Sequence, residues 1–536
     1  MTINFLHRLH GYFDNAPAIW ASQKLLNKKS PSSADFRLAT SFLRQAASIC
    51  PYDTTLEGLA IKLSRSIGES DPFAMLNSTT TNTQNSTQEV LNILAPIQNN
   101  PSALLEYFDS ADSPLIRHIS LAFIWQQGIL ENQFSSKLEK LSYMDRSRSL
   151  PFFAWALYAL GSYKQAITIA ENNQQCFLAQ NLLAQNALKH SEPERCAKHW
   201  AKSLDLEPGQ PHLIERLAQL GLFKRQLPKV DNHKVHILFY TYNKLETTLS
   251  TLQSLLASDI GPAKITLLNN GSTNFSPEEF DQGVQRTAQG RPVEVIHLPV
   301  NIGAPAARNW LYHLPQCQEA EYIVFLDDDI LLPRHWLALY LQDFEDHPEI
   351  CAVGPKGINP NPYRTIQYIY RYFQEVGEHK IRFTNNSPLA FDLGQYDGRR
   401  PCLSVMGCCH MFDRQKLDKL GVPDFDLRFT PSQVDDLERD IQIWKCGGKI
   451  LYDGRVEVKH LQDAGSAAPK SESSWGHVWG NHMKMEYKFT GGELRKIKAQ
   501  VDRIEENFWK KNLESAWHLL PKRAKIFWSE QTRIQV

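Results

Sequence analysis

The sequence lacks both a surplus of charge of one sign and a long apolar run. Lysine plus arginine number 58 and aspartate plus glutamate number 58, so the overall charge favours neither nucleic acid nor an anionic membrane surface as a partner. No uninterrupted apolar segment approaches the roughly 20 residues of a membrane-spanning helix. The N-terminus also lacks the apolar stretch of a signal peptide. We therefore expect a cytoplasmic protein with no nucleic-acid partner and no transmembrane segment.

Cysteine is scarce and shows neither a disulfide framework nor a zinc site. Nine cysteines, an odd number, are scattered over 536 positions, which predicts reduced thiols. The adjacent Cys408 and Cys409 lack the spacing of zinc ligands, and a buried strand is the favoured interpretation. A chain of this length has room for two or three domains.

The most informative segment is the apolar run Tyr322–Leu326, which is followed by Asp327, Asp328 and Asp329. Five apolar, mostly β-prone residues predict a strand buried on both faces, as in the middle of a parallel sheet. Three adjacent carboxylates repel one another unless a cation neutralises them, and Mg²⁺ or Mn²⁺ prefers such oxygen ligands. The alternative interpretation is an acidic turn exposed to water.

Three further predicted strands precede this segment, at 235–240, 264–268 and 293–298, and leucines at helical spacing lie between the first two. This alternation predicts an α/β fold with a mostly parallel sheet and helices on its faces. Polar residues follow each strand, at the end where ligands of such sheets bind. These polar clusters are 241–243, 269–273, 301–303 with Arg308, and 327–329.

In this order the clusters resemble the motifs of family 2 glycosyltransferases of the GT-A fold. The resemblance continues through 404–414, 421–426, the pair Asp435 and Asp436 with glycines eleven and twelve residues after Asp436, and 456–460, so that it spans residues 234 to 461. It implies a nucleoside-diphosphate sugar as donor and a divalent cation, Mn²⁺ or Mg²⁺, as cofactor. The sugar would be transferred to an acceptor hydroxyl with inversion at the anomeric carbon.

The resemblance also implies roles for individual residues. Those that would hold the nucleotide and sugar, or brace the loops beside them, are Thr241, Tyr242, Asn243, Asn269, Asn270, Gly271, Ser272, Asn301, Gly303, Arg308, Asp327 and Asp328. Asp329, the second acid of the family's Asp-x-Asp motif, would ligate the metal together with Asp327 and His460. Arg308 is suited to bind phosphate or carboxylate with two parallel hydrogen bonds.

Asp436 matches the family's catalytic base, and Asp435 takes the place of the glutamate that usually precedes it. Inversion by direct displacement needs a base within hydrogen-bond reach of the incoming hydroxyl, and a carboxylate serves this purpose. Two adjacent carboxylates also tend to separate their pKa values. The structural alternative is the acidic first turn of a helix at 436–446, capped by Gly447, and both interpretations are compatible.

One departure from the family leaves the donor nucleotide open. Family members that use uridine nucleotides often have an aspartate at the position of Asn269, where an amide can either accept or donate a hydrogen bond. A UDP-sugar is the default expectation, and nothing in the sequence selects the sugar. The acceptor is equally open: a glycan, a lipid-linked glycan or a protein side chain.

The residues on either side of the predicted catalytic domain at 230–465 are expected to be helical. Residues 1–229 resemble tetratricopeptide repeats from Ala154 onward, with a polar, flexible stretch at 77–88. These helices would bind a protein partner or would only pack against the catalytic domain. In the extension at 466–536, an apolar stripe from Leu494 to Phe508 predicts a helix that braces the sheet domain. Contact with a membrane surface or, through Trp475 and Trp479, with an acceptor sugar is the alternative.

Two rival functions remain at this stage. The first is a non-catalytic tetratricopeptide scaffold whose transferase domain is inactive, although Asp327, Asp329 and Asp436 are all retained. The second is a nucleotidyltransferase, which has a similar sheet but grips a triphosphate with a glycine-rich basic loop. The segment 241–246 after the first strand contains no glycine, which disfavours that second function.

Overall fold

The computed structural model describes residues 15–49, 54–69, 100–112, 161–360, 366–378, 380–384, 394–461 and 472–532, with single or paired positions at 96, 116–117, 120, 150, 154–155, 157–158 and 392. The predicted polar stretch at 77–88 lies outside these residues. The described helices are α1 Asn15–Leu26, α2 Ser33–Ile49, α3 Thr54–Ser66, α4 Pro101–Ser110, α5 Tyr163–Asn172, α6 Phe177–Lys189, α7 Pro193–Leu206, α8 Pro211–Ala218, α9 Leu245–Leu256, α10 Pro277–Ala288, α11 Ala304–Tyr312, α12 Trp336–Asp346, α13 Arg414–Leu420, α14 Asp435–Lys445, α15 Glu472–Lys488, α16 Gly491–Ala516 and α17 Lys522–Thr532.

The described strands are β1 Val235–Thr241, β2 Lys264–Asn269, β3 Glu294–His297, β4 Tyr322–Leu326, β5 Ile330–Leu331, β6 Ala352–Ile358, β7 Ile366–Tyr368, β8 Phe373–Val376, β9 Ile381–Phe383, β10 Arg399–Cys402, β11 Cys409–Asp413 and β12 Ile450–His460. Among the described residues, ten of them form one mixed sheet with the order β10-β12-β6-β11-β4-β1-β2-β3, in which β5 pairs with β12 and β7 with β6. β8 and β9 form a separate hairpin.

The part of the sheet that matters for function is its parallel section, β4-β1-β2-β3. The run predicted at 322–326 coincides with β4, and β1 and β2 each extend one residue beyond their predictions. Because these strands are parallel, the polar residues that follow β1, β2 and β4 meet at one edge.

Different helices cover the two faces of the sheet, because successive strand residues point to opposite sides. Ile237 and Phe239 lie in a core shared with α9, α10 and α12. Leu238 and Phe325 lie in a second core, shared with α11, α14 and the first half of α16. The expected α/β fold with helices on both faces is confirmed.

The N-terminal and C-terminal helices share a third core. In it, Phe42 of α2 and Trp200 of α7 pack with Trp509 of α16 and Trp528 of α17. The described part of the N-terminal region is helical as expected, while its similarity to tetratricopeptide repeats stays a prediction. Within the described residues, no helix has the length and apolar character needed to cross a membrane.

Candidate active site

A cavity of about 490 Å³ opens at the carboxyl edge of the parallel strands. Tyr242 after β1, Asn270 after β2 and Asp327 after β4 line it, because the strand register brings these three chain segments together. Its volume is within the range of small-molecule sites in proteins. Later segments also line it, among them residues 406–407, the loop 431–434 and the first two residues of α14.

Asp327, Asp329 and His460 form a cluster with the geometry of a metal site. One ligand atom from each lies within 4.8 Å of the other two. His460 Nε2 is 3.0 Å from Asp329 Oδ1, and its Nδ1–H donates to Gln367 Oε1 at 2.6 Å. A partner on Nδ1 fixes the ring so that Nε2 faces the carboxylates, as in many metal-binding histidines.

The ionisation of the three aspartates follows from burial and from two cations. Burial raises the pKa of Asp327, and it raises the pKa of Asp328 to about 6. Burial also disfavours ionised Asp329, but hydrogen bonds and charge from His460 and Lys244 outweigh it and lower its pKa to about 2. The Lys244 ammonium lies 2.7 Å from Asp329 Oδ2 and 3.3 Å from Asp328 Oδ1.

Arg308 links Asp327 of the candidate metal site to Asp435 at the start of α14. Its buried guanidinium pairs with the carboxylate of Asp435 and lies 3.4 Å from Asp327 Oδ1. Burial disfavours the charged guanidinium, but the charge of Asp435 outweighs this and raises its pKa. Burial in turn raises the pKa of Asp435 to about 6. Arg308 therefore already has two carboxylate partners at the cavity wall.

Asp436 differs from Asp435 in its surroundings. Its two carboxylate oxygens accept backbone N–H groups, Oδ2 from Gly407 at 3.1 Å and Oδ1 from Leu437 at 2.8 Å. Among the described residues no cation pairs with it, and it lines the cavity. The carboxylate is thus oriented by the backbone and open to a ligand.

The loops after β2 and β3 are held together by amide side chains. Asn270 donates to Asn301 Oδ1 at 3.0 Å and accepts the N–H of Ile302 at 3.0 Å. Gly271 has a φ of +68°, and a Cβ there would lie 2.3 Å from the carbonyl carbon of Val300. Only glycine fits this position without displacing backbone.

Not every residue predicted to hold the nucleotide reaches the cavity. Tyr242, Asn270, Asn301, Gly303, Arg308, Asp327 and Asp328 line it, whereas Thr241, Asn243, Asn269, Gly271 and Ser272 lie behind it and brace its loops. Asn269 Oδ1 accepts the N–H of Ser272 at 3.0 Å, and Asn243 Oδ1 accepts that of Thr273 at 2.7 Å. The amide of Asn269 is also 3.1 Å from a ring nitrogen of His297, so its side chain is engaged on both sides.

Several cavity residues are absent from the sequence-based prediction. Lys244 follows the predicted loop directly, so its position beside a strand end was a usable signal. Tyr368, Arg371 and His482 come from segments that carry no motif, and only the folded chain brings them to the cavity.

A C-terminal helix holds the loop that leads to the acidic pair. The buried amide of Asn481 in α15 donates to the carbonyl oxygens of Phe429 at 2.9 Å and Ser432 at 2.7 Å. Val434, the residue before α14, has a φ of +66°, which is unfavourable for a β-branched side chain. α15 thus stabilises a strained loop next to the cavity.

Comparison with known proteins bears on the residues that build this site. Residues 237–421 match the model of glycosyl transferase family 2. No protein with curated annotation matches the chain. Among solved structures, GalNAc-T7 with UDP, GalNAc and Mn²⁺ is similar with a TM-score of 0.35 and 17% identity, over 51% of this chain and 54% of that one. TarS 1-349 from S. aureus is similar with a TM-score of 0.33 and 15% identity, over 55% of this chain and 83% of that one.

The chain thus spans about half the length of the first of these structures. The family match covers β1 to α13 and includes every strand of the parallel section and the three aspartates. The parallel section of the sheet and the three aspartates therefore lie in a segment, residues 237–421, that is similar to glycosyl transferase family 2.

Proposed function

We propose that this enzyme transfers a sugar from a nucleoside-diphosphate sugar, by default a UDP-sugar, to an acceptor hydroxyl with inversion at the anomeric carbon. The observation that carries the proposal is the pairing of two features in one cavity: a metal-type cluster at the end of β4 and an open carboxylate, Asp436, at the start of α14. A direct displacement needs both, one for the leaving group and one for the nucleophile.

The residues after β4, together with His460 at the end of β12, suit a divalent cation. Two carboxylates and one imidazole, with ligand atoms within 4.8 Å of one another, fit Mn²⁺ or Mg²⁺. We assign Asp327, Asp329 and His460 as the protein ligands. A cation bound there supplies Lewis-acid stabilisation of the departing diphosphate.

Asp436 is the proposed base. As the acceptor oxygen forms its bond to the anomeric carbon, the bond from that carbon to the diphosphate oxygen breaks and its electron pair leaves with the diphosphate. The hydroxyl proton passes to the carboxylate of Asp436, which the N–H groups of Gly407 and Leu437 hold in place. A positioned general base contributes about 10²–10⁴-fold to such a reaction.

Asp435 has a different proposed role. Its carboxylate is buried and paired with Arg308, so it is not free to accept the acceptor's proton. Through Arg308 it links the start of α14 to Asp327. We assign Asp435 as a positioning residue that fixes the base relative to the metal ligands.

The test is donor hydrolysis by the purified full chain against a panel of nucleotide sugars, with Mn²⁺, Mg²⁺ or EDTA. We expect metal-dependent release of one nucleoside diphosphate, lost in Asp329→Ala. Asp436→Asn should lower the rate by about 10²-fold or more while nucleotide binding persists. The matched control is Asp424→Asn, an aspartate that is 48% exposed and paired with His313, which should behave as wild type.

Three results would contradict parts of this proposal. Absence of donor binding with every metal would refute the catalytic function and favour the scaffold. Full activity in EDTA would refute the assignment of the metal site. An unchanged rate in Asp436→Asn would refute the assignment of Asp436 as the base.

A further inference from the structure

Arg371 is a cavity residue that has no carboxylate partner among the described residues. Its backbone is fixed by a bridge to Ser404, in which its N–H donates to the Ser404 carbonyl at 2.9 Å. Its guanidinium lies 5.6 Å from the centre of the Phe383 ring. Within the described part of the chain it makes no side-chain hydrogen bond or ion pair, although it lines the cavity.

Three other buried arginines of the same domain are paired with carboxylates, whereas buried Arg439 of α14 is not. Arg308 pairs with Asp435, Arg399 lies 3.0 Å from Asp343, and Arg455 lies 2.7 Å from Asp453. An arginine stays charged in proteins and carries five N–H donors that suit carboxylate or phosphate. A half-buried guanidinium left open at a cavity is therefore available to a ligand anion.

Arg371 lies on the side of the cavity where the base is. Its bridge partner Ser404 lies three positions before Gly407, whose N–H donates to Asp436, and the charge of Asp436 acts on Arg371 more strongly than any other. Its other cavity neighbours are Tyr368, which also feels the charge of Asp436, and His482, which feels the charge of Arg371. The proposed position of the donor diphosphate is beside the metal ligands Asp327, Asp329 and His460.

Stabilisation of Asp436 does not explain the position of Arg371. Each oxygen of that carboxylate already accepts one backbone N–H, and the guanidinium does not contact them. Asp440 likewise accepts the N–H of Val405 at 3.1 Å. The charge of Asp436 would repel an anionic acceptor on this side, and a cation located here offsets that repulsion.

We propose that Arg371, with the Tyr368 hydroxyl and the His482 ring as neutral neighbours, binds a carboxylate or phosphate group carried by the acceptor. The acceptor is then an anionic molecule, such as a uronic acid or a phosphate-bearing glycan or lipid, whose reacting hydroxyl reaches Asp436. This inference rests on the proposed function and narrows its acceptor class.

The experiment uses the full chain saturated with Mn²⁺ and with the nucleoside diphosphate that the donor panel identifies. Calorimetric titrations then compare inorganic phosphate and methyl glucuronide with the neutral methyl glucoside. Wild type should bind the two anions and not the glucoside. Arg371→Met should weaken the binding of both anions at least tenfold, and Arg371→Lys should weaken it less, because lysine keeps the charge but loses the paired donors.

The matched control is Arg382→Met, which removes an arginine of the neighbouring hairpin that is 56% exposed and lies 3.8 Å from Glu375. It should leave anion binding unchanged. Equal anion affinity in Arg371→Met and wild type would overturn the inference. A loss of nucleotide affinity in Arg371→Met as large as its loss of anion affinity would also overturn it, because Arg371 would then bind the donor. If Arg371→Met does not fold, an undiminished anion affinity in Arg371→Lys would overturn it as well.

If Arg371→Met loses binding of only one of the two anions, that anion is the one that Arg371 binds. Failure of wild type to bind any nucleotide would instead refute the proposed function, and the inference with it. The two failures are therefore distinguishable.

Discussion

Removal of the Asn481 amide should loosen the loop 429–434 without unfolding the protein. This side chain in α15 is 1% exposed, and its amide nitrogen is the group that ties α15 to the carbonyl oxygens of Phe429 and Ser432. The loop ends at Val434, whose backbone is strained, and continues directly into the acidic pair. In Asn481→Ala, the loop carbonyls lose their donors and the strained conformation loses its support.

The magnitude follows from the number of bonds. A side-chain amide nitrogen has two hydrogens, so only the contacts at 2.9 and 2.7 Å count, and the longer contact of 3.4 Å to Gln433 does not. At about 1 kcal/mol for each bond, local opening of the loop becomes about 2 kcal/mol easier. That free energy corresponds to a roughly 30-fold larger population of the open loop.

Hydrogen exchange measured by mass spectrometry reads this population directly, because amides exchange through local opening. In Asn481→Ala, the amides of 430–434 should exchange about 30-fold faster, and turnover should fall while donor affinity is retained. The control is Asn512→Ala, since Asn512 donates to Phe508 within its own helix, α16, at 3.0 Å. Unchanged exchange of the loop in a folded Asn481→Ala protein would refute the reasoning.

Two other substitutions test the residues around the donor side. Gly271→Ala places a Cβ 2.3 Å from the carbonyl carbon of Val300 and should lower the melting temperature and the nucleotide affinity. The control is Gly290→Ala, which is also at positive φ but in open space and should cost only about 1–2 kcal/mol of backbone strain. Equal melting temperatures of the two variants would contradict the steric argument. Lys244→Met removes the ammonium that lies 2.7 Å from Asp329 and should tighten the binding of Mn²⁺ alone about tenfold in a spectroscopic titration. Weaker Mn²⁺ binding would show that Lys244 does not compete with the cation.

The sequence allows the prediction of elements whose signals are local. β4 coincides with its prediction, because a run of five apolar residues between polar ones has clear ends. The helix predicted at 436–446 appears as Asp435–Lys445, with Gly447 at a φ of +90° after it. The segment 456–460 is the end of a longer strand, β12, whose pairing with β6 is irregular between Asp453 and Glu457.

Contacts between distant segments could not be predicted, because periodicity reports which face is apolar and not what it meets. Arg308 was expected beside the nucleotide, yet its partner Asp435 lies 127 positions away in the chain. Asn481 is separated from Phe429 by 52 positions and resembles any polar helix residue. Arg371 reaches the cavity only because a bridge to Ser404 fixes its backbone there.

The helix α16 explains why the flanking helices matter to the catalytic domain. With 26 residues it extends for about 39 Å, long enough to belong to two cores. Leu494 and Val501 in its first half pack against the sheet domain, and Trp509 in its second half is buried with helices of the N-terminal region. Between them, Glu505 accepts from Arg400 of β10 at 3.2 Å.

α16 therefore contacts both the N-terminal helices and the sheet domain. α15 precedes α16 by two residues and carries both Asn481 and the cavity residue His482. Packed residues therefore extend from the N-terminal helices along α16 to α15, which is hydrogen-bonded to the loop before α14. The proposed base and metal ligands belong to the central region, and the loop that leads to Asp436 is hydrogen-bonded to α15.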